Sequence, residues 1–82
     1  MAIEHYIWTA HAQSRLGQRH LDRFELEHAI SEGHDTRKVN DGRAQWLVRG
    51  TMADGTPFEP IYDHPHGDDV DTVRVVSVWR LS

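Results

Sequence analysis

Residues 9–33, TAHAQSRLGQRHLDRFELEHAISEG, read as two short helices joined at His20 and Leu21. The second is the more clearly written. Asp22 has the side chain of an N-cap, Glu25 stands at the capping-box position, and Leu21 and Leu26 are placed to close a hydrophobic staple across the cap. Leu26, Ala29 and Ile30 form its inward stripe with Phe24 beside them, and Gly33 supplies the C-terminal stop. Thr9 can cap the first helix, which runs from Ala10 to about Arg19 and has a short buried line of Ala12 and Leu16. Gly17 weakens this helix by up to about 1 kcal/mol relative to alanine, or lets another backbone come close.

Outward from these helices the period changes from helical to two. Ile3 to Thr9 reads as a strand with apolar side chains on both faces, and therefore as a covered one. After Gly33 come Thr36 to Asn40, Arg43 to Met52, Thr56 to His64 and, beyond a Pro/Gly/Asp-rich loop, Thr72 to Leu81. Asn40-Asp41-Gly42-Arg43 and Ala53-Asp54-Gly55-Thr56 each carry the Asp-Gly pair favoured by type I′ hairpins. Alternation in the middle strand points Trp46 toward the helices, and Pro60 places its strand at an edge or a bulge. Val73, Val75, Val76, Val78, Trp79 and Leu81 fill both faces of the last strand, as in an interior one, with Arg74 and Arg80 on one face. The fold class is α+β: a strand, two helices, then a four-stranded antiparallel meander, with both helices on one face of an antiparallel sheet.

Eighty-two residues without a linker make a single domain, 1–82, burying roughly 60% of its unfolded surface around one modest core. The absence of cysteine removes disulfides and thiolate metal sites. With no basic leader and no apolar run of about 20 residues, a cytoplasmic protein without membrane association is expected. The formal charge of −4 has the wrong sign for gripping polyanions over the whole surface, although the seven histidines would carry it to +3 if all were protonated. A local basic face is compatible with both values.

His11, Arg15 and Arg19 recur at i, i+4 and i+8 and so share one stripe of the first helix. Guanidinium groups hold phosphate oxygens in bidentate fashion, and imidazole exchanges protons near neutral pH, so the stripe suits a phosphodiester; the same spacing also suits a solvated helix face. Tyr62 and His64, two apart on one strand, together with Arg74 and Arg80 on the next, could line a shallow RNA groove, or could be cross-strand packing with charges at its rim. His64, His66, Asp68, Asp69 and Asp71 supply enough ligands for a divalent ion, but their spacing matches no zinc motif and suits a long loop equally well. Ser14 and Ser31 lack a readable base and orienting acid, which leaves a serine nucleophile unsupported.

Thr9-Ala10-His11-Ala12 with Arg15 and Arg19, the segment Asp22 to Gly33, and Arg74-Val75-Val76-Ser77-Val78 together resemble a family of small bacterial domains of unknown function that look related to the RelE/ParE-like toxins and to BrnT. The resemblance implies a RelE-like toxin fold. It further implies metal-independent endoribonuclease chemistry without a cofactor, in which a ribose hydroxyl attacks the adjacent phosphate while arginines stabilise the added charge. On that reading His11 matches the family histidine and Arg15 and Arg19 the helix basics. Strand geometry adds Tyr62 and His64 as catalytic or orienting groups and Arg74 and Arg80 as substrate clamps. The expected partners are RNA and a small antitoxin or another protein, with a homodimer left open. The rival expectation is a non-catalytic protein-binding module of the same fold, using an exposed face or an edge strand. A metal-dependent protein built on the His64 to Asp71 loop is the third.

Overall fold

The computed structural model describes residues 3–81. β1 (His5–Trp8) leads into α1 (Ala10–Arg19) and α2 (Arg23–Gly33). A single 3-10 turn, His34–Thr36, follows, and then β2 (Lys38–Val39), β3 (Trp46–Leu47), β4 (Gly50–Thr51), β5 (Pro57–Asp63) and β6 (Thr72–Arg80). Both helices therefore lie where their caps place them. Thr9 accepts a hydrogen bond from the Ala12 amide, Asp22 accepts one from the Phe24 amide, and Leu21 and Leu26 are buried together in the core.

Two details of the helix ends depart from expectation. Glu25 turns away from its own cap and accepts the amide of Ala53 at 3.0 Å, tying α2 to the β4–β5 turn. Gly33 has φ −94°, so it does not end α2 by adopting a left-handed conformation. It is small because a Cβ there would stand 3.3 Å from Val48. The left-handed residue is His20, with φ 56°. The pair of bonds from the His20 amide to Gly17 and from the Leu21 amide to Leu16 closes α1 as a Schellman motif.

The strand order is β1-β6-β5-β3-β2, with β4 pairing the far end of β5. The four-strand meander is present, but the sheet is mixed, because β1 runs parallel to β6 with His5 opposite Thr72 and Trp8 opposite Val75. β6 is thus interior, as its two apolar faces imply, and β1 is an edge. Trp8 is buried on the helix side while Ile7 is 40% exposed, so β1 is covered on one face only.

The strand expected over Arg43 to Met52 is interrupted at Val48 and Arg49, and Pro60 gives the reason. β5 is an interior strand, so of the two places expected for a proline, an edge or a bulge, the edge does not hold, whereas the register shift between Ile61 and Tyr62 lies directly beside Pro60. The Pro60 carbonyl accepts the Val48 amide at 3.3 Å, and the same edge of Pro60 has no N–H to return. The ladder breaks there into β3 and β4. Neither Asp-Gly turn is type I′, since no residue of Asn40–Arg43 has positive φ and only Gly55 does in the other turn. In that turn the Gly55 amide closes on Met52 at 2.9 Å, Gly55 has φ 92°, and the Met52 amide bonds to Thr56, as in a type I turn with a G1 bulge.

The larger core lies between the helices and one sheet face, with Ala12, Leu26, Ile30, Phe58, Tyr62, Val73, Val75 and Val78 at its centre. A smaller cluster of Ala44, Ile61 and Val76, with Leu47 and Trp79 against it, covers the opposite face. A bulge in β6 divides these sets. Ile61 pairs with Ser77 and Tyr62 with Val75, leaving Val76 as the extra residue and shifting the alternation after it. Val78 therefore joins Val73 and Val75, and Trp79 falls on the other face.

Candidate functional site

The bulge also places α1. Thr9 accepts from Ala12 at the head of the helix and donates its hydroxyl to the Val76 carbonyl at 3.1 Å, so one side chain caps α1 and fastens it to the irregular point of β6. Ala12 turns into the core from this position, and His11 and Arg15 project beside Ser77 and Trp79. A groove of about 320 Å³ opens there. Its walls are His11 and Arg15 on one side and the Asn40–Arg43 loop on the other; Ile61, Ser77 and Trp79 form its floor.

The loop wall is held by its own first residue. The Asn40 amide donates to Gln45, and the Asn40 side chain donates to the Ala44 carbonyl at 3.0 Å. Trp79 is oriented by an indole N–H bond of 2.9 Å to Glu59, whose other oxygen meets Arg49 at 3.3 Å. Arg15 donates from Nε to His11 Nε2 over 3.4 Å and from Nη1 to Gln18 over 3.3 Å. Neither Arg15 nor Arg43 has a carboxylate within ion-pair distance among the described residues. Two guanidinium groups, an imidazole and a half-buried indole thus surround one opening, with Asp41 at its rim. The set can accept an oxyanion beside a flat ring.

Of the seven site residues expected from the sequence, His11 and Arg15 meet in this groove and the other five do not line it. Arg19 is exposed in the last turn of α1. Arg74 lies on the groove's face of the sheet but toward the start of β6, paired with Asp63 at 3.4 Å. Arg80 stands opposite Phe58 on the helix side, so the bulge separates the two arginines that simple alternation puts together.

Tyr62 cannot stack on a ligand, because it is 0% exposed, and burial pushes its hydroxyl up to about 12. Its oxygen lies 2.8 Å from Nδ1 of His34, which is itself buried. Burial, followed by the neighbouring His64 and Arg37, lowers the His34 pKa from its ordinary value. His64 packs edge-on against His34 with ring centroids 4.4 Å apart, and its Nε2 is 2.7 Å from the Val70 carbonyl. Arg37 completes this inner cluster. It lies over the Trp46 ring at 4.2 Å and donates to the His34 carbonyl, leaving its buried Nε without a partner. Tyr62 and His64 therefore belong to the packing beneath the β5–β6 loop.

Among the described residues, Asp71 alone of the His64 to Asp71 loop enters a group able to hold a metal ion, and its companions there are Glu4 and His5. Arg43 and Trp79 line the groove beyond the residues expected from the sequence. Arg43 was concealed in a turn motif, whereas the Val75-Val76 doublet, which breaks strict alternation, is a readable sign of the phase shift that exposes Trp79 to the groove. Comparisons with protein-family models, curated proteins and solved structures return no match.

Proposed function

We propose that this chain is a RelE-like, toxin-derived domain that binds single-stranded RNA in the His11–Trp79 groove and cleaves it without metal. The observation that carries the reading is the convergence of His11, Arg15, Arg43 and Trp79 on one opening. Trp79 offers a stacking surface for a base, a contact of about 1–3 kcal/mol, and the two unpaired guanidinium groups take the adjacent phosphate. Arg15 Nε donates to His11 Nε2 in the free groove; as Arg15 turns to the phosphate it releases the Nε2 lone pair, which then takes the proton of the ribose 2′-hydroxyl. The 2′-oxygen forms its bond to phosphorus as the bond to the 5′-oxygen breaks, and the leaving oxygen takes a proton from solvent in the open groove. The products are a 2′,3′-cyclic phosphate and a 5′-hydroxyl. Arg15 and Arg43 stabilise the charge that builds on the phosphorane oxygens.

The test is incubation of the purified chain with unstructured RNA in EDTA, with product ends identified by mass spectrometry. His11→Ala is expected to lower cleavage by at least 10²-fold, the usual range for losing a proton-transfer group, and Arg15→Ala and Arg43→Ala to weaken RNA binding. Arg74→Ala should leave both unchanged. A wild type that cuts no RNA, or an Arg74→Ala loss as large as that of Arg15→Ala, overturns the reading.

A second reading rests on the edge strand. Val39 is 71% exposed on β2, the edge of the sheet opposite β1, where a strand from an antitoxin or another protein partner could be added by main-chain pairing. Retention of a specific partner by the wild type and its loss with Val39→Pro, with RNA left intact, would favour this non-catalytic role.

A further inference from the structure

We infer that Glu4, His5 and Asp71 form a binding site for a divalent transition-metal ion that staples the edge strand β1 to the loop entering β6. The site is independent of the groove. It lies at the Thr72 end of β6, about 26 Å of strand away from Trp79 at about 3.3 Å per residue. One ligand atom from each of the three side chains lies within 4.8 Å of the other two. A tetrahedral ion with bonds of about 2.0–2.1 Å needs its ligand atoms about 3.3 Å apart, a closure within reach of exposed side-chain rotation.

The backbone sets this convergence. The amides of Glu4 and His5 both donate to the Asp71 carbonyl, at 2.8 and 3.1 Å, where β1 begins its parallel pairing. Thr72 donates its hydroxyl to Asp71 Oδ1 at 3.2 Å, which orients that carboxylate and leaves its second oxygen free. Neither Glu4 nor Asp71 has an ion-pair partner among the described residues, and their two carboxylates converge beside the His5 imidazole. One nitrogen and two carboxylate donors suit zinc and its first-row neighbours, whereas calcium and magnesium prefer oxygen alone. Three protein ligands leave the remaining positions to water. The expected role is a cross-link between segments far apart in sequence, since nothing in this cluster lines the groove.

The test uses the full chain stripped with EDTA and titrated with Zn²⁺ by calorimetry and with Co²⁺ by its visible absorption, beside His5→Ala, Asp71→Asn, Glu4→Gln and the double variant His64→Ala/His66→Ala. One ion per chain is expected, bound at least 10-fold more weakly by His5→Ala and Asp71→Asn and unchanged by the double variant. Zn²⁺ should raise the melting temperature of the wild type and leave that of His5→Ala where it was. The metal-free melting temperatures show whether each variant folds, and Glu4→Gln stands in for Asp71→Asn if the latter fails. Binding that survives His5→Ala, or that disappears only in the double variant, means an adventitious ion only and overturns the site. The ribonuclease reading is tested in EDTA, so either proposal can fail without the other.

Discussion

Replacing Tyr62 by phenylalanine separates the two roles that a tyrosine on β5 could have. The phenol is fully buried, and its oxygen lies 2.8 Å from Nδ1 of a His34 ring that is itself only 3% exposed. Phenylalanine fills the same space, so no cavity cost enters. What is lost is one hydrogen bond of about 1 kcal/mol, together with about 1 kcal/mol or more for leaving a buried imidazole nitrogen without a partner. The expected destabilisation is about 2 kcal/mol, which for a domain of this size lowers the melting temperature by about 8–16 °C. A second substitution, His34→Phe, removes the orphaned nitrogen and should recover part of that loss, so the double-mutant cycle reports a coupling of about 1 kcal/mol. Thermal unfolding by circular dichroism measures all four proteins. RNA binding by folded Tyr62→Phe should match the wild type. A melting temperature within 2 °C of the wild type, or RNA affinity reduced while the fold is intact, refutes the placement of Tyr62 as a buried anchor.

Gly50→Ala should cost about 2–3 kcal/mol in urea unfolding, because its Cβ would sit 2.7 Å from both Ala29 Cβ and the fully buried Phe58 ring; an unchanged midpoint rejects this packing. Gly17→Ala meets nothing within 4 Å and should raise stability by about 0.5–1 kcal/mol, read by the same titration. Thr9→Val removes both the cap of α1 and the tie to Val76, with an expected loss of about 1–2 kcal/mol that Thr9→Ser largely restores. His34 titrates below its ordinary value when folded, under the combined influence of burial, His64 and Arg37, with Asp35 opposing. As pH falls below about 6.5 the unfolded chain therefore takes up a proton that the folded chain refuses, and stability declines by at most about 1.4 kcal/mol per pH unit. A His34→Gln variant should show a shallower acid-side slope in melting temperature, and equal slopes would discount His34 as the cause.

Local signals carried the helices well. Thr9, Asp22, Leu21 and Leu26 state where α1 and α2 begin, because a cap and a staple involve residues only a few positions apart. The strands were legible as segments and less so as pairings. Parallel pairing of β1 with β6 depends on two stretches at opposite ends of the chain, and no local pattern encodes its direction. Pro60 was visible, but its effect falls on Val48 in another strand. The candidate site was half legible for the same reason. His11 and Arg15 share a helix face and could be found by spacing, whereas their neighbours Arg43 and Trp79 arrive through a turn and a bulge. Tyr62 and His64 bear side chains suited to RNA, and only tertiary packing reveals that one is buried against His34 and that the other packs on the same ring.

The parallel pairing of β1 with β6 bears on how the chain is made. Thr9 and the Val76 carbonyl it holds are 67 positions apart, so β1 leaves the ribosome long before β6, the strand it pairs with. Until residues 72–75 emerge, Trp8 and Ala12 have no valine surface to cover, and α1 has nothing to fix its direction. Local helix formation can precede that moment, but closure of the sheet cannot, and such long-range closure slows folding relative to a helical bundle of equal length. A nascent chain halted just before Thr72 would therefore hold two capped helices and the strands before β6 without the floor of the groove, and any activity of that groove would begin only after synthesis of β6.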